Sequence, residues 1–180
     1  MSAASPHQQR LEAIVREYLP FVWRVLRRLG LSPADADDAA QRVLLTVARR
    51  LADIEPGRER AFLSRTATHI ALKAHRSERR RREQPVAVLE HAEATAPDPE
   101  TLLQKRRTLA RLDALLDELA LDLRTVFVLF EIEGLTQEEV ALALDLPKGT
   151  VASRLRRARQ RLARLLVTRQ IVDQASGGVL

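Results

Sequence analysis

The chain of 180 residues contains no cysteine, so it can form neither a disulfide framework nor a thiolate metal site. Its four histidines, His7, His69, His75 and His91, lack the spacing of a helical metal-binding pair. No nucleophile–base pair and no glycine-rich phosphate loop is recognisable. The sequence therefore predicts a protein without metal, without cofactor and without catalytic residues, that is, not an enzyme.

Long apolar runs are also missing. No stretch approaches the roughly 20 apolar residues of a membrane span. The first residues lack the basic-then-apolar order of a signal peptide. We therefore expect a soluble, cytoplasmic protein with no membrane insertion. Glycine and proline are few, and alternating strand patterns are absent, whereas Leu, Ala, Arg and Glu dominate. This composition predicts an all-α fold.

Charge is abundant and unevenly distributed. The formal net charge is +6, and arginine far outnumbers lysine, which favours a polyanionic partner. Residues 1–83 hold 17 basic and 10 acidic residues, whereas 84–101 hold no lysine or arginine, four acidic residues and three prolines. Residues 84–101 are thus typical of an extended, flexible linker. We predict two small helical domains, 1–83 and 102–168, followed by a disordered tail over 169–180.

The most informative stretch, 135–161, reads as two helices separated by a short turn. Thr136 and Glu139 have the spacing of a capping box. Pro147 ends the first helix, and Asp145 must accept a left-handed conformation. The second helix carries an apolar stripe and a series of arginines, so the pattern is that of a helix-turn-helix.

A basic helix face is often only a solvated surface. Here, however, the acidic residues precede the turn and the arginines follow it. A helix surface stabilised by ion pairs would instead carry acidic and basic residues side by side. Phosphate attraction requires charge of one sign, so the segregation favours DNA binding.

Two further elements lie in the first half. Ser32 and Pro33 open a helix with acidic residues in its first turn, which the helix dipole favours. A later helix, starting near residue 57, ends in four consecutive arginines at 79–82. The dipole explains part of that run, and a nucleic-acid contact explains the rest. Tyr18, Phe21 and Trp23 are expected in the core of this half.

Together these elements resemble the extracytoplasmic-function (ECF) group of bacterial RNA polymerase sigma factors, over about residues 11–166. The strongest match is to region 4, in the run Gly-Thr-Val-Ala-Ser-Arg-Leu-Arg-Arg-Ala-Arg at 149–159. The resemblance implies that this helix reads the −35 promoter element. The positions carried over are Lys148, Thr150, Ala152, Ser153, Arg154, Arg156 and Arg157.

Residues 1–83 resemble region 2. The resemblance implies that 37–45 dock on the coiled coil of the largest polymerase subunit, with Arg42 standing where an acidic residue is common. The implied contacts are Asp37, Asp38, Gln41, Leu44 and Leu45. Residues 61–82 resemble the helix that melts and reads the −10 element, with His69 and Lys73 in place of the frequent Asn and Asp. The implied DNA-binding residues there are Phe62, Arg65, His69, Lys73, Arg76, Arg79 and Arg80. His75 is a further candidate for holding the melted strand.

The implied function is that of a transcription initiation specificity factor, which binds core RNA polymerase and promoter DNA, both as duplex and as melted single strand. An anti-sigma factor is a further partner implied by the resemblance. Two alternatives remain open: a stand-alone helix-turn-helix regulator that binds a palindrome as a dimer, and a polymerase-binding or anti-sigma-like adaptor whose basic surfaces face acidic protein.

Overall fold

The structure is a computed structural model that describes the backbone of residues 5–82 and 100–177, and the side chains of 5–80 and 109–168. Within these ranges every regular element is helical, which confirms the all-α prediction. The helices are α1 (Pro6–Arg28), α2 (Pro33–Arg50), α3 (Glu59–Arg82), α4 (Glu100–Asp117), α5 (Leu121–Phe127), α6 (Gln137–Leu144) and α7 (Lys148–Gly177). The predicted linker falls outside the described residues except for 100 and 101, which begin α4.

Helices α1 to α3 pack together as the N-terminal module. Each buries one apolar stripe, and the core between them is built mainly from valine, leucine and alanine. Ser32 caps α2 by accepting a hydrogen bond from the backbone N–H of Asp35 (3.1 Å), with Pro33 at the first helical position, as predicted. Arg10 joins α1 to the start of α3 through its ion pair with Glu59 (2.9 Å).

Helices α4 to α7 form the C-terminal module. α5 continues into one π-helical turn, Val128–Ile132, before the helix-turn-helix of α6 and α7. The predicted capping box is present: Thr136 N–H donates to the Glu139 carboxylate (2.8 Å), and Glu139 N–H donates to the Thr136 hydroxyl (3.2 Å). Asp145 has φ 54°, the predicted left-handed conformation, and its N–H bonds the carbonyl of Ala141.

The two modules lie directly against each other. Helix α3 packs against α6, and α1 contacts the π turn. The two helical domains that the sequence predicts are therefore in contact with each other in this structure.

Helix α7 extends further than the sequence pattern predicted. It continues to Gly177, whereas the expected helix ended at 168 and the tail 169–180 was expected to be disordered. Residues 169–176 contain neither glycine nor proline, so nothing in this stretch breaks the helix before Gly177 and Gly178.

The capping box yields a stability prediction. Thr136→Ala removes the side-chain acceptor of the Glu139 N–H and should lower the free energy of unfolding by about 1 kcal/mol in urea titrations followed by circular dichroism. Thr136→Ser keeps the hydroxyl and should restore most of the loss. Equal losses in both variants would contradict a capping role.

The same box predicts a pH dependence. The pKa of Glu139 is held below its ordinary value, first by the hydrogen bond that its carboxylate accepts from the Thr136 backbone. A carboxyl group whose pKa is lower in the folded state than in the unfolded state stabilises the fold at pH values above its unfolded-state pKa. This stabilisation is lost as the pH falls through the folded-state pKa. Wild type should therefore lose more stability on acidification than Glu139→Gln.

Candidate nucleic-acid and polymerase interfaces

The orientation of α7 is set by its buried stripe. Val151, Leu155, Ala158 and Leu162 face the core of the C-terminal module. Of the residues predicted to read DNA, Ala152, Arg156 and Arg157 are consequently exposed on the opposite side. Arg156 and Arg157, with the further exposed arginines 161 and 164, make the outer face of α7 basic.

The first turn of α7 is tied to α6. Lys148 pairs with Glu138 (3.0 Å), and the Lys148 carbonyl accepts a hydrogen bond from the Gln137 side chain (2.8 Å). Thr150 and Ser153 are half-buried, and the Ser153 hydroxyl donates to the Thr150 carbonyl (2.9 Å). The two contacts of Lys148 connect α7 to α6, and the bond within α7 leaves Ser153 with less freedom to contact a base.

Arg154 differs from its neighbours. Its guanidinium lies 3.4 Å from the carboxylate of Asp122 on α5, and the side chain is only 29% exposed. It lines a groove with Leu72 of α3 and with Leu121, Leu144 and Leu146. In this arrangement Arg154 therefore faces the N-terminal module, away from the exposed face that Arg156 and Arg157 form.

Helix α3 presents a basic groove. His69, Lys73, Arg76 and Arg80 follow one another at spacings of four, three and four, and line a groove of about 440 Å³ with Ile70. All four side chains are exposed and form one basic strip along α3. Arg79, also predicted to bind DNA, is exposed on the same helix.

The other predicted residues of α3 lie elsewhere. Phe62 and Arg65 line a separate groove with Ile54 and with Leu142 of α6, and the Arg50 guanidinium sits 5.6 Å from the centre of the Phe62 ring. His75 is turned toward α1, where its Nε2 lies 2.7 Å from the Leu29 carbonyl. In this arrangement the ring is engaged at the end of α1, and the strand-holding role considered for His75 stays a prediction.

A groove between α1 and α2 brings together three of the predicted polymerase contacts. Asp37, Gln41 and Leu44 line it together with Trp23 and Arg24. The Trp23 indole N–H donates to Asp37 (2.8 Å), and the Arg27 guanidinium sits 5.8 Å from the centre of the ring. Asp38 and Leu45 are exposed on the adjoining strip of α2, and Leu45 is 56% exposed.

Trp23 corrects the prediction that three aromatic residues pack in the core. Phe21 is buried and Tyr18 is partly buried, but Trp23 is 37% exposed. The buried stripe of α1 runs through Phe21, Val25 and Leu29, and Trp23 falls outside it. An exposed tryptophan beside a groove is a typical anchor of a protein interface.

A polar cluster between the modules was not predicted. Glu133, at the end of the π turn, is 5% exposed, and its carboxylate pairs with Arg28 (2.5 Å) and Arg24 (3.6 Å) of α1. Arg60 of α3 donates to the backbone carbonyl of the same residue. Arg124, which is also buried, donates to the carbonyl of Arg28 (2.5 Å). We call Arg24, Arg28, Arg60 and Glu133 the arginine socket.

The sequence offered little sign of this socket. Its members are separated by up to 109 positions, and each belongs to a run that already has a local explanation. Arg28 is an ordinary helix-terminal cation, and Glu133 is one of several acidic residues before the helix-turn-helix.

Among the described side chains, those of residues 5–80 and 109–168, no group of histidine, aspartate and glutamate is arranged to hold a metal ion. In the same ranges no helix has both the length and the apolar character needed to cross a membrane.

Two family models match this chain. Residues 14–81 match the model of sigma-70 region 2, and residues 109–162 match that of sigma-70 region 4. The first covers α1 from residue 14 onward, α2 and nearly all of α3, and the second covers α6 and the first half of α7.

Relatives with curated names agree with these matches. The ECF RNA polymerase sigma factor SigE of Mycolicibacterium smegmatis is 34% identical over 152 residues, which are 84% of this chain and 59% of SigE. The chain thus spans less than two thirds of that relative. The RNA polymerase sigma factor CnrH of Cupriavidus metallidurans is 31% identical over 172 residues, 91% of this chain and 90% of CnrH.

Two solved structures share the fold. CnrH in complex with the cytosolic domain of CnrY aligns with a TM-score of 0.67 and 26% identity over 89% of this chain and 90% of CnrH. The sigma factor RpoE of Bartonella quintana, in complex with the anti-sigma factor NepR, aligns with a TM-score of 0.70 and 23% identity, over 88% of this chain and 97% of RpoE. On the sequence matches, this chain belongs to the ECF group of RNA polymerase sigma factors.

Proposed function

We propose that this protein is a specificity subunit of RNA polymerase, which binds the core enzyme, directs it to promoters through −10 and −35 elements and assists strand opening. The observation that carries the proposal is the pair of exposed basic helix faces, one in each sigma-70 module. In this role the protein positions DNA and has no catalytic chemistry of its own. Its place of action is the cytoplasm, where transcription occurs.

The outer face of α7 suits duplex DNA. The second helix of a helix-turn-helix lies in the major groove, and here its exposed face carries Ala152, Arg156 and Arg157. Arginine can reach phosphates or contact guanine with two hydrogen bonds, whereas Ala152 offers a methyl group that fits close to thymine. Lys148 and Thr150 at the start of α7 are placed to contact the backbone next to these bases.

The α3 groove suits the melted strand. Its four basic side chains form a track along one helix face, and a single strand is bound chiefly through its phosphates and by stacking of its bases. His69 supplies an exposed ring for stacking. Phe62, which Arg50 already covers on one side, is set back in a different groove and is a weaker candidate for that contact.

The groove between α1 and α2 suits the polymerase. It combines an exposed tryptophan with the carboxylate of Asp37, and Leu45 and Asp38 extend the same surface along α2. The exposed apolar residues Trp23 and Leu45, with the carboxylate of Asp37 and the guanidinium of Arg24 beside them, suit an amphipathic element that carries charges of both signs, such as a helix of a coiled coil. We assign this surface to the core enzyme.

A further partner follows from the solved relatives. CnrH was solved with the cytosolic domain of CnrY, and RpoE with an anti-sigma factor. We propose that an anti-sigma factor likewise binds this chain and competes for the surfaces described above.

Transcription from a promoter library tests the function. Purified core polymerase plus this protein should initiate at promoters that share −10 and −35 elements, and Arg156→Ala with Arg157→Ala should reduce that initiation at least about tenfold. Arg16→Ala with Arg49→Ala is the matched control, because both arginines are exposed on the N-terminal module away from α7.

The outcomes separate the alternatives. A stand-alone regulator would bind a palindrome tightly without polymerase and would initiate nothing. An adaptor that faces acidic protein would bind DNA with little dependence on salt. Unchanged initiation by the Arg156/Arg157 variant would remove α7 from promoter recognition.

Trp23→Ala tests the polymerase surface. Loss of a central aromatic anchor typically costs about 2 kcal/mol, so the dissociation constant for core polymerase should rise about 30-fold in a fluorescence titration. Leu166→Ala, which shortens an exposed leucine on α7, should leave that affinity unchanged. Equal affinities for wild type and the Trp23 variant would move the polymerase contact elsewhere.

Salt dependence tests the α3 groove. Each phosphate contact to a single strand contributes about 0.7 to the slope of log K against log salt concentration. Arg76→Ala with Arg80→Ala should therefore lower that slope by about 1.4 for a fluorescent single-stranded oligonucleotide. The Arg16 and Arg49 control should keep the wild-type slope, and a wild-type slope in the α3 variant would exclude phosphate contacts there.

A further inference from the structure

We infer that Arg159 is a further DNA-binding residue of α7, which exchanges the carboxylate of Glu131 for a backbone phosphate when α7 enters the major groove. The resemblance does not carry Arg159 over as a DNA contact. The exchange rests on the proposed function, in which α7 binds duplex DNA.

Arg159 and Glu131 form an ion pair within the C-terminal module. Nε of Arg159 lies 2.6 Å and Nη2 2.5 Å from the same carboxylate oxygen, Oε1 of Glu131. The guanidinium also lies 5.9 Å from the centre of the Phe130 ring. The π turn therefore holds this arginine at two points, so part of the entropy cost of ordering its long side chain is already met before DNA arrives.

Both charged groups remain within reach of solvent. The side chain of Arg159 is 56% exposed and that of Glu131 is 31% exposed. An ion pair at such a surface contributes little to folding stability, because water competes for both charges and salt screens them. A DNA phosphate, whose binding also releases counterions, is a stronger acceptor than one exposed carboxylate.

The position of Glu131 in the fold offers it little other support. It lies in the last turn of the continuous helix that α5 and the π turn form. The helix dipole is negative at this end, so a carboxylate is disfavoured there. Stability alone therefore gives no reason for an acid at this position, whereas control of Arg159 does.

Arg159 lies on the same row of α7 as Ala152. The two positions are seven residues apart, which is about two helical turns, so they point to nearly the same side and lie about 10.5 Å apart along the axis. Ala152 is exposed, on the part of α7 that we propose reads bases. Arg159 is therefore directed toward the same DNA duplex, further along the helix.

The width of the major groove decides what Arg159 can contact. A recognition helix touches bases through its N-terminal residues, and half the width of the groove is about 6 Å. With Ala152 near the base edges, a residue about 10.5 Å further along lies beside the phosphate backbone. Arg159 thus reaches a phosphate and not a base, and its contact adds affinity without sequence preference.

Ala152 has a paired cation on each side along this row. Lys148 precedes it by four residues and pairs with Glu138 (3.0 Å), and Arg159 follows it by seven. Each of the two backbones that border the major groove therefore has one cation available. Without DNA, an acidic partner neutralises each of these cations.

Two variants that remove opposite charges test the exchange. Binding of the full-length protein to a mixed-sequence duplex is measured by fluorescence titration over a series of salt concentrations. A phosphate contact contributes about eightfold at 0.1 M salt. The ion pair given up for it costs about two- to fivefold. Arg159→Gln should therefore weaken binding about two- to fourfold and lower the slope of log K against log salt concentration by about 0.9.

Glu131→Gln should act in the opposite direction. It frees Arg159 from its partner and should strengthen binding by the contribution of the ion pair, about two- to fivefold. The salt slope should stay at its wild-type value, because the same phosphates are contacted. Arg159→Lys keeps the charge and should retain most of the wild-type slope.

Matched variants control for the change in net charge. Glu118→Gln and Arg111→Gln make the same two changes of charge at exposed positions of α4 and of the turn that follows it. Both should bind the duplex as wild type does. Shifts in these controls as large as those at Glu131 and Arg159 would reduce the effect to net charge and overturn the exchange.

The double variant separates exchange from simple repulsion. If Glu131 acts through Arg159, Glu131→Gln should add no affinity to a protein that already carries Arg159→Gln. An equal gain in both backgrounds would mean that Glu131 repels DNA directly. Weaker binding in both single variants would make the pair a structural contact that orients α7, and wild-type affinity in both would make it a solvated surface pair. Each of these three results would overturn the exchange.

Initiation with core polymerase separates the exchange from the proposed function. If the two single variants shift DNA affinity in opposite directions but the protein supports no initiation, the exchange stands and the proposed function fails. If initiation depends on Arg156 and Arg157 while the Arg159 and Glu131 variants bind DNA as wild type does, the proposed function stands and the exchange fails.

Discussion

Burial of one apolar stripe on each helix is the constraint from which the surfaces of this protein follow. In α7 the stripe through Val151, Leu155 and Leu162 leaves Arg156 and Arg157 pointing outward. In α1 the stripe excludes Trp23, which becomes part of a groove instead of the core. A small helical module has a single core, so each face not used there is available to DNA or protein.

Arginine serves two purposes in this chain that the charge total does not distinguish. Those of the outer α7 face and the α3 groove are exposed and form surfaces of one sign. Arg28 and Arg124 are turned inward and connect the modules through a carboxylate and a helix-terminal carbonyl. Exposed arginines attract a polyanion, whereas buried ones need fixed acceptors, so the two sets differ in how strongly added salt screens them.

The local features were predictable because local rules determine them. The capping box at Thr136 and Glu139, the left-handed Asp145 and the cap at Ser32 each depend on a few neighbouring residues. The placement of Arg154, His75 and Glu133 depends on how two modules meet, and nothing within a few residues of each encodes it. Which residues bind DNA stays a prediction of the resemblance, and the resemblance did not indicate that Arg154 pairs with Asp122.

The π turn before the helix-turn-helix adds one residue to a helical turn. The added residue changes the direction, around the helix axis, in which all following side chains point. An α-helix advances by about 100° per residue, so a chain that lost this extra residue would rotate Glu133 by roughly that angle relative to α5. The acidic group would then no longer point at α1. The one added residue therefore sets the direction in which Glu133 points, and with it whether the two modules can pack against each other.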